Sequence, residues 1–169
     1  AMAPRRVNSL RMSSSRFVSD DRLAQAPENG PMTDRIKIAS PRDALDIEAI
    51  AGLFREYAGS LGFSLDYQDF EAELAGLPGK YAPPEGALLL ATVDGEAAGA
   101  VAMRQLEPGI CEMKRLYVRP RYRGERLANG HSIGRALAHR IVEAGRASGY
   151  RRLRLDTIGD RMEAAIRLY

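Results

Sequence analysis

Cysteine is nearly missing from this chain of 169 residues, occurring once, at Cys111. A single thiol excludes an internal disulfide, and the expectation is a reducing, cytoplasmic setting. Histidine is almost as scarce: His131 and His139 stand in no spacing with other ligand types that would hold a metal, so no metal is expected. Long apolar runs are missing too. None approaches the roughly 20 residues a membrane-crossing helix needs, so no membrane partner is expected. The net charge is only +3. That excess is too weak to argue for nucleic acid by itself, and no motif that reads DNA or RNA is present.

What remains is an ordinary globular composition and a length that favours one domain able to bury its own core. Residues 1–33 differ from the rest. Arg5, Arg6, Arg11 and Arg16 are scattered among Ser, Asn, Pro and Gly with little apolar periodicity. This stretch is expected to be a disordered extension or an upstream segment, with Met32 as an alternative start. An Arg/Ser-rich targeting peptide is the other reading, against which Asp20, Asp21 and Glu28 count. No secretory signal is legible. The expected domain is 34–169.

Along that domain, Arg35–Ala39 alternates like a strand. Ser40, Pro41 and Asp43 then suggest a helix start with Ser40 as the cap, followed by Ile47, Ile50, Ala51, Phe54 and Tyr57 at helical spacing. Tyr67–Leu77 is expected to form a shorter helix, and residues 79–86, with Pro83-Pro84, a loop. Ala87–Val93 is strand-like. Asp94-Gly95 supplies a tight turn into Ala97–Leu106, and Pro108-Gly109 another into Ile110–Val118. A helix with Ile133, Leu137, Ile141 and Ala144 on one face follows, then the alternating Arg151–Asp156 and a last helix from Arg161 to Tyr169. The order β-α-α-β-β-β-α-β-α implies an α+β fold, with helices packed on a mixed, mainly antiparallel sheet.

The stretch Cys111–Leu137, CEMKRLYVRPRYRGERLANGHSIGRAL, is the most informative. It reads as a strand, an Arg/Gly-rich loop and a helix beginning near Ser132 or Ile133. That order brings backbone N–H groups and a positive helix end to one place, where a phosphate fits. With IGRALAHRIVEAG, GYRRLRLDT and the closing AAIRLY, it resembles the GCN5-related N-acetyltransferase superfamily from about Arg35 to Tyr169. The resemblance implies acetyl-CoA as co-substrate and an amine acceptor. It also implies that the strand Leu116, Tyr117, Val118 lends backbone groups to the pantetheine arm.

In that family the loop R-x-x-G-x-G/A wraps the diphosphate. Here it reads as two imperfect copies: Arg123-Gly124-Glu125-Arg126-Leu127-Ala128, and Asn129-Gly130-His131-Ser132-Ile133-Gly134. Proximity to the helix favours the second, so Gly130, Ser132, Ile133, Gly134 and Arg135 are the expected cradle, with Arg123 and Gly124 at its entry. The family usually continues past its last helix into two more strands. With nothing after Tyr169, either the sequence is incomplete there, the preferred reading, or an exchanged homodimer supplies the missing strands, because an open edge at Arg151–Asp156 invites pairing.

By resemblance Glu112 matches the strand carboxylate that acts as base in histone-acetylating members. Its other reading is a carboxylate paired with Lys114 or Arg104. Tyr169 matches the Tyr of the final helix that protonates the leaving thiolate, or it packs its ring on the sheet. The thioester oxygen would meet a strand N–H near Leu116 or Tyr117. Cys111 alternates with Met113 and is expected in the core rather than as a nucleophile. Phe63, Tyr67 and Phe70 are candidates to line the acceptor region, core packing being the alternative for the two Phe. The functional expectation is acetyl transfer to a primary amine of a small molecule or peptide by direct attack in a ternary complex. A non-catalytic acyl-CoA-binding regulatory domain is the alternative.

Overall fold

A computed structural model describes residues 6–11, 35–62 and 67–157. The strands and helices in chain order are β1 Arg6–Arg11, β2 Ile36–Ala39, α1 Ala44–Ser60, α2 Tyr67–Ala75, β3 Ala87–Val93, β4 Glu96–Glu107, β5 Ile110–Val118, α3 Ile133–Ala147 and β6 Arg152–Thr157. The sheet order is β1-β6-β5-β4-β3-β2. All neighbours are antiparallel except β5 and β6, which run parallel across the α3 crossover. The α+β class is therefore as expected. The final helix expected at Arg161 to Tyr169 lies outside the described residues.

Local chemistry accounts for the meander. Asp94 and Gly95 both hold positive φ, 50° and 84°, the pair of conformations that a two-residue hairpin of the matching twist requires. At the start of α1 the expectation is corrected: Asp43, not Ser40, is the cap. Its carboxylate accepts from the Asp46 amide at 2.9 Å, and the Asp46 carboxylate in turn accepts from the Arg42 amide at 2.9 Å. Two carboxylates one turn apart satisfy orphan amides better than one hydroxyl would. Residues 79–86 are not wholly irregular either, since Gly79–Tyr81 makes a 3-10 turn.

Arg6–Arg11 pairs with β6 from Arg6 opposite Thr157 to Arg11 opposite Arg152. The sequence reading assigned no element there, because backbone pairing needs no apolar alternation to announce it. The edge of β6 expected to stay open for a second chain is thus covered by this chain itself.

The core lies in two layers, one on each face of the sheet. Cys111, Met113, Val101, Met103, Leu153 and Leu155 pack under Ile133, Leu137 and Ile141 of α3. Ala100, Ala102, Leu88, Leu90 and Tyr117 pack under Ile50, Leu53 and Phe54 of α1 and Phe70 and Leu74 of α2. Phe70 is accordingly a core residue, the alternative read for it from sequence. Gly99 on β4 allows α3 to sit close, because a Cβ there would lie 2.7 Å from the Tyr117 carbonyl oxygen and 3.3 Å from Leu137 Cδ1. Among the described residues no helix is long and apolar enough to cross a membrane.

α2 is tied to β5 through one carboxylate. Glu73 accepts from Arg115 at 2.8 Å, from Lys80 at 2.6 Å and from the Tyr81 hydroxyl at 2.8 Å. Burial raises the Glu73 pKa, but these three donors outweigh it and hold the carboxyl at about 2. Arg115 also lies over the Phe70 ring, 4.7 Å from its centroid.

Two outcomes follow from this packing. Gly99→Ala should destabilise the fold by on the order of 1–3 kcal/mol through overpacking against rigid backbone, seen as a lower thermal midpoint; an unchanged midpoint would show that α3 has room to shift. Because Glu73 is depressed in the folded state, its contribution is complete above its ordinary value of 4.5 and disappears as pH falls toward about 2. Glu73→Gln should therefore lower the melting temperature near neutrality and flatten its decline over that acid window. A variant whose decline parallels the parent protein would refute this.

Candidate active site

β5 carries the site because it leaves the sheet partway along. Its parallel pairing with β6 runs from Ile110 opposite Arg152 to Met113 opposite Leu155 and stops there. β5 itself continues to Val118 and β6 to Thr157, so the two strands part as a fork whose vertex lies at Met113. From Lys114 onward one edge of β5 faces no strand among the described residues.

On its other edge β5 stays paired with β4, with a shift of register between Ala100 opposite Tyr117 and Ala102 opposite Lys114. Two β5 residues, Arg115 and Leu116, stand against Val101 alone, which is a β-bulge. Arg115 has φ 58°, a conformation that costs a side-chain-bearing residue roughly 1 kcal/mol or more. The Glu73 carboxylate and the Phe70 ring fix its side chain, only 10% exposed, on the α2 side of the sheet.

The alternation of a strand then decides which backbone groups reach the fork. The Arg119 amide donates to Ala98 of β4 at 2.9 Å, so the groups of Val118 and Leu116 point the other way, into the gap. Arg123 Nε donates to the Val118 carbonyl there at 3.0 Å. Tyr117 is a correction. Its carbonyl faces Gly99 of β4, so its backbone does not border the gap. Its ring is buried toward α1, 6.2 Å from that of Tyr57, and its phenol is pushed above the ordinary range by burial and then by the Glu56 charge.

The loop between β5 and α3 resolves the two imperfect copies in a way the sequence reading missed. Arg126 and Ser132 pair as an isolated antiparallel bridge, and the Leu127 amide donates to the His131 carbonyl at 3.0 Å. Residues 127–131 thus form a small excursion, and the first copy is brought directly beside the helix start. Gly130 is corrected accordingly. It sits in the excursion turn with φ 79°, its amide spent on the Leu127 carbonyl at 2.8 Å, not at the helix start. The signal that could have found this was Asn129-Gly130, a strong turn dipeptide whose Asn129 Oδ1 accepts from the His131 amide at 3.0 Å.

Ser132, Ile133, Gly134 and Arg135 do assemble as expected. Ser132 caps α3, its hydroxyl accepting from the Arg135 amide at 3.3 Å. Ile133 is anchored in the core at 1% exposure, and Gly134 faces Val118. The first-turn amides of Ile133 and Gly134 have no intrahelical acceptor. Around them stand Arg123, Arg126 and Arg135. Among the described residues these three guanidiniums face no carboxylate within 4 Å. Arg126 donates to the carbonyls of Arg123 and Glu125. Gly124 lies at the entry, with open space where a Cβ would stand.

At the vertex, Cys111 and Met113 point to the α3 face, so Glu112 and Lys114 point to the face covered by α1 and α2. Glu112 is buried, its side chain 8% exposed, and Oε2 accepts from Arg104 Nε at 2.8 Å with Lys114 Nζ at 3.9 Å. Both partners named from sequence are present. Burial lowers the Lys114 ammonium below its ordinary range; Glu112 pulls it back up, and the guanidiniums of Arg104 and Arg115 add to the lowering. Cys111 is a core residue, its thiol raised by burial to about 11. Tyr169, Phe63 and the Tyr67 side chain lie outside the described residues.

Comparisons agree with this architecture. The model of the acetyltransferase (GNAT) family matches residues 47–169. An uncharacterized N-acetyltransferase of Schizosaccharomyces pombe is 38% identical over 136 residues, 79% of each chain. An acetyltransferase structure from Streptococcus agalactiae superposes with TM-score 0.65 at 17% identity, over 79% of each chain. YncA, a putative acetyltransferase from Salmonella typhimurium solved with acetyl-CoA, superposes with TM-score 0.60 at 20% identity, over 80% of this chain and 76% of that one. The family model and the 38% identical relative together show that this chain belongs to the GNAT family of acetyltransferases.

Proposed function

We propose that the chain transfers the acetyl group of acetyl-CoA to a primary amine of a small molecule or peptide, by direct attack within a ternary complex. The carrying observation is the fork: β5 loses β6 after Met113 and its free end is followed by the loop that opens into α3. The acetyl-CoA bound to the Salmonella relative supports the same co-substrate here.

The residues fit that ligand. A diphosphate needs N–H donors and cations together, which the Ile133 and Gly134 amides, the Ser132-capped turn and the guanidiniums of Arg123, Arg126 and Arg135 provide. Gly124 keeps the loop entry open. The amide-rich pantetheine arm suits the unpaired edge at Leu116 and Val118, with a Leu116 N–H as donor to the thioester oxygen.

The attacking nitrogen must first lose a proton. Glu112 is the acceptor we assign: Arg104 holds its Oε2, and among the described residues no hydrogen bond occupies its Oε1. The amine lone pair then attacks the thioester carbon, the C–S bond breaks, and the thiolate takes up a proton. By family resemblance Tyr169 supplies that proton. No metal is invoked.

Calorimetric titration of acetyl-CoA, followed by thiol release with an amine panel, tests the reading. Release is expected; binding without release with any amine would favour a non-catalytic acyl-CoA-binding domain. Arg135→Glu should weaken acetyl-CoA binding about tenfold or more, since a charge-assisted contact turns repulsive at the helix start; undiminished affinity would move the phosphates elsewhere. Glu112→Gln should lower kcat by about 10²-fold or more. Full activity in that variant would assign the proton to water instead.

A further inference from the structure

Among the described side chains on the sheet face under α1 and α2, beside the fork, Arg104, Lys114 and Arg115 stand with two carboxylates, Glu112 and Glu73. Glu73 is fully engaged by Arg115, Lys80 and the Tyr81 hydroxyl. Glu112 alone serves both remaining cations, and it gives the same oxygen to each: Arg104 takes Oε2 at 2.8 Å, leaving Lys114 at 3.9 Å, beyond hydrogen-bond reach.

Lys114 is therefore an unusual cation. Its side chain is only 27% exposed, yet its ammonium has three donors and no hydrogen-bond acceptor among the described residues. A mostly buried ammonium left in that state is costly unless something anionic completes it. Its position says what that is. Lys114 is the first β5 residue past the last pair with β6, so it stands at the mouth of the gap, on the face from which an acceptor approaches. Arg104 on the neighbouring strand, paired with Glu112, adds a second cation to that face.

Resting on the transfer reading above, we infer that the amine acceptor carries an anionic group, a carboxylate or a phosphate, bound by Lys114 together with Arg104. Polyamines and lysine-rich peptides should be the poorer substrates, because a second ammonium would meet Lys114 and Arg104. The depressed Lys114 ammonium agrees, because an incoming anion would restore it.

The test uses matched pairs of amines with the full chain and acetyl-CoA: glycine against glycinamide, phosphoethanolamine against ethanolamine, with spermidine and a lysine-rich peptide alongside. Thiol release gives kcat/KM for each. The acid-bearing member of at least one pair should exceed its neutral partner about tenfold or more, the worth of a charge-assisted hydrogen bond, and the two pairs decide between carboxylate and phosphate. Lys114→Met should bring that ratio close to one with KM for acetyl-CoA unchanged, and Lys114→Arg should keep it.

Ratios near one in the parent protein, preference for spermidine or the peptide, or a preference that survives Lys114→Met would each overturn the inference. If no amine releases thiol, the transfer reading fails instead, and binding decides this one. Acid-bearing members should then still raise the melting point of the coenzyme-loaded protein more than their neutral partners, and Lys114→Met should abolish the difference. Equal shifts would refute the anion subsite as well.

Discussion

An arginine held in the left-handed region of backbone space needs a reason to stay there, and Glu73 is the reason for Arg115. The side chain is caught between a carboxylate with three donors and the faces of Phe70 and Phe54, so the backbone has no freedom to relax. That fixed residue sets the bulge, and the bulge sets the phase of everything after it on β5. Leu116 and Val118 turn their backbone groups into the gap, and Tyr117 turns its own toward β4. Had β5 kept regular register, the strand would present the opposite set of groups to the fork. The geometry of the open edge of β5 is thus determined from α2, on the other side of the sheet.

The two sides of β5 divide the labour by charge. Toward α3, three guanidiniums and the amides of a helix start are left without carboxylates among the described residues, the arrangement that the proposed diphosphate site calls for. Toward α1 and α2, ion pairs do structural work: Glu56 with Arg119, Glu73 with Arg115 and Lys80, Glu112 with Arg104. Arg119 also donates to the Ala97 carbonyl at 2.7 Å, fastening the end of β5 to β4 and α1 together. Lys114 is the point at which this second economy is incomplete.

Much of this was legible in the residues. Asp94-Gly95 specified its hairpin because few other pairs tolerate two positive φ values, and Ile133, Leu137 and Ile141 specified the buried face of α3. Ser132, Ile133 and Gly134 were correctly placed at the helix start. What failed depended on geometry that sequence spacing does not encode. Gly130 was misplaced because the Arg126 to Ser132 bridge removes five residues from the path. Tyr117 was misassigned because a one-residue bulge reverses backbone direction downstream. The cap moved from Ser40 to Asp43 because two carboxylates a turn apart outcompete a hydroxyl. β1 went unseen because its partner, β6, lies some 140 residues away along the chain.

The lone cysteine has a practical consequence. With its sulfur wholly inside the α3 layer, hydrogen-bonded to the Arg152 carbonyl at 3.5 Å, Cys111 has neither solvent contact nor thiolate character at neutral pH. Disulfide-exchange dyes and maleimides therefore meet a silent protein as long as it stays folded. In the absence of any added thiol source, labelling of the protein becomes a direct gauge of how often this layer opens.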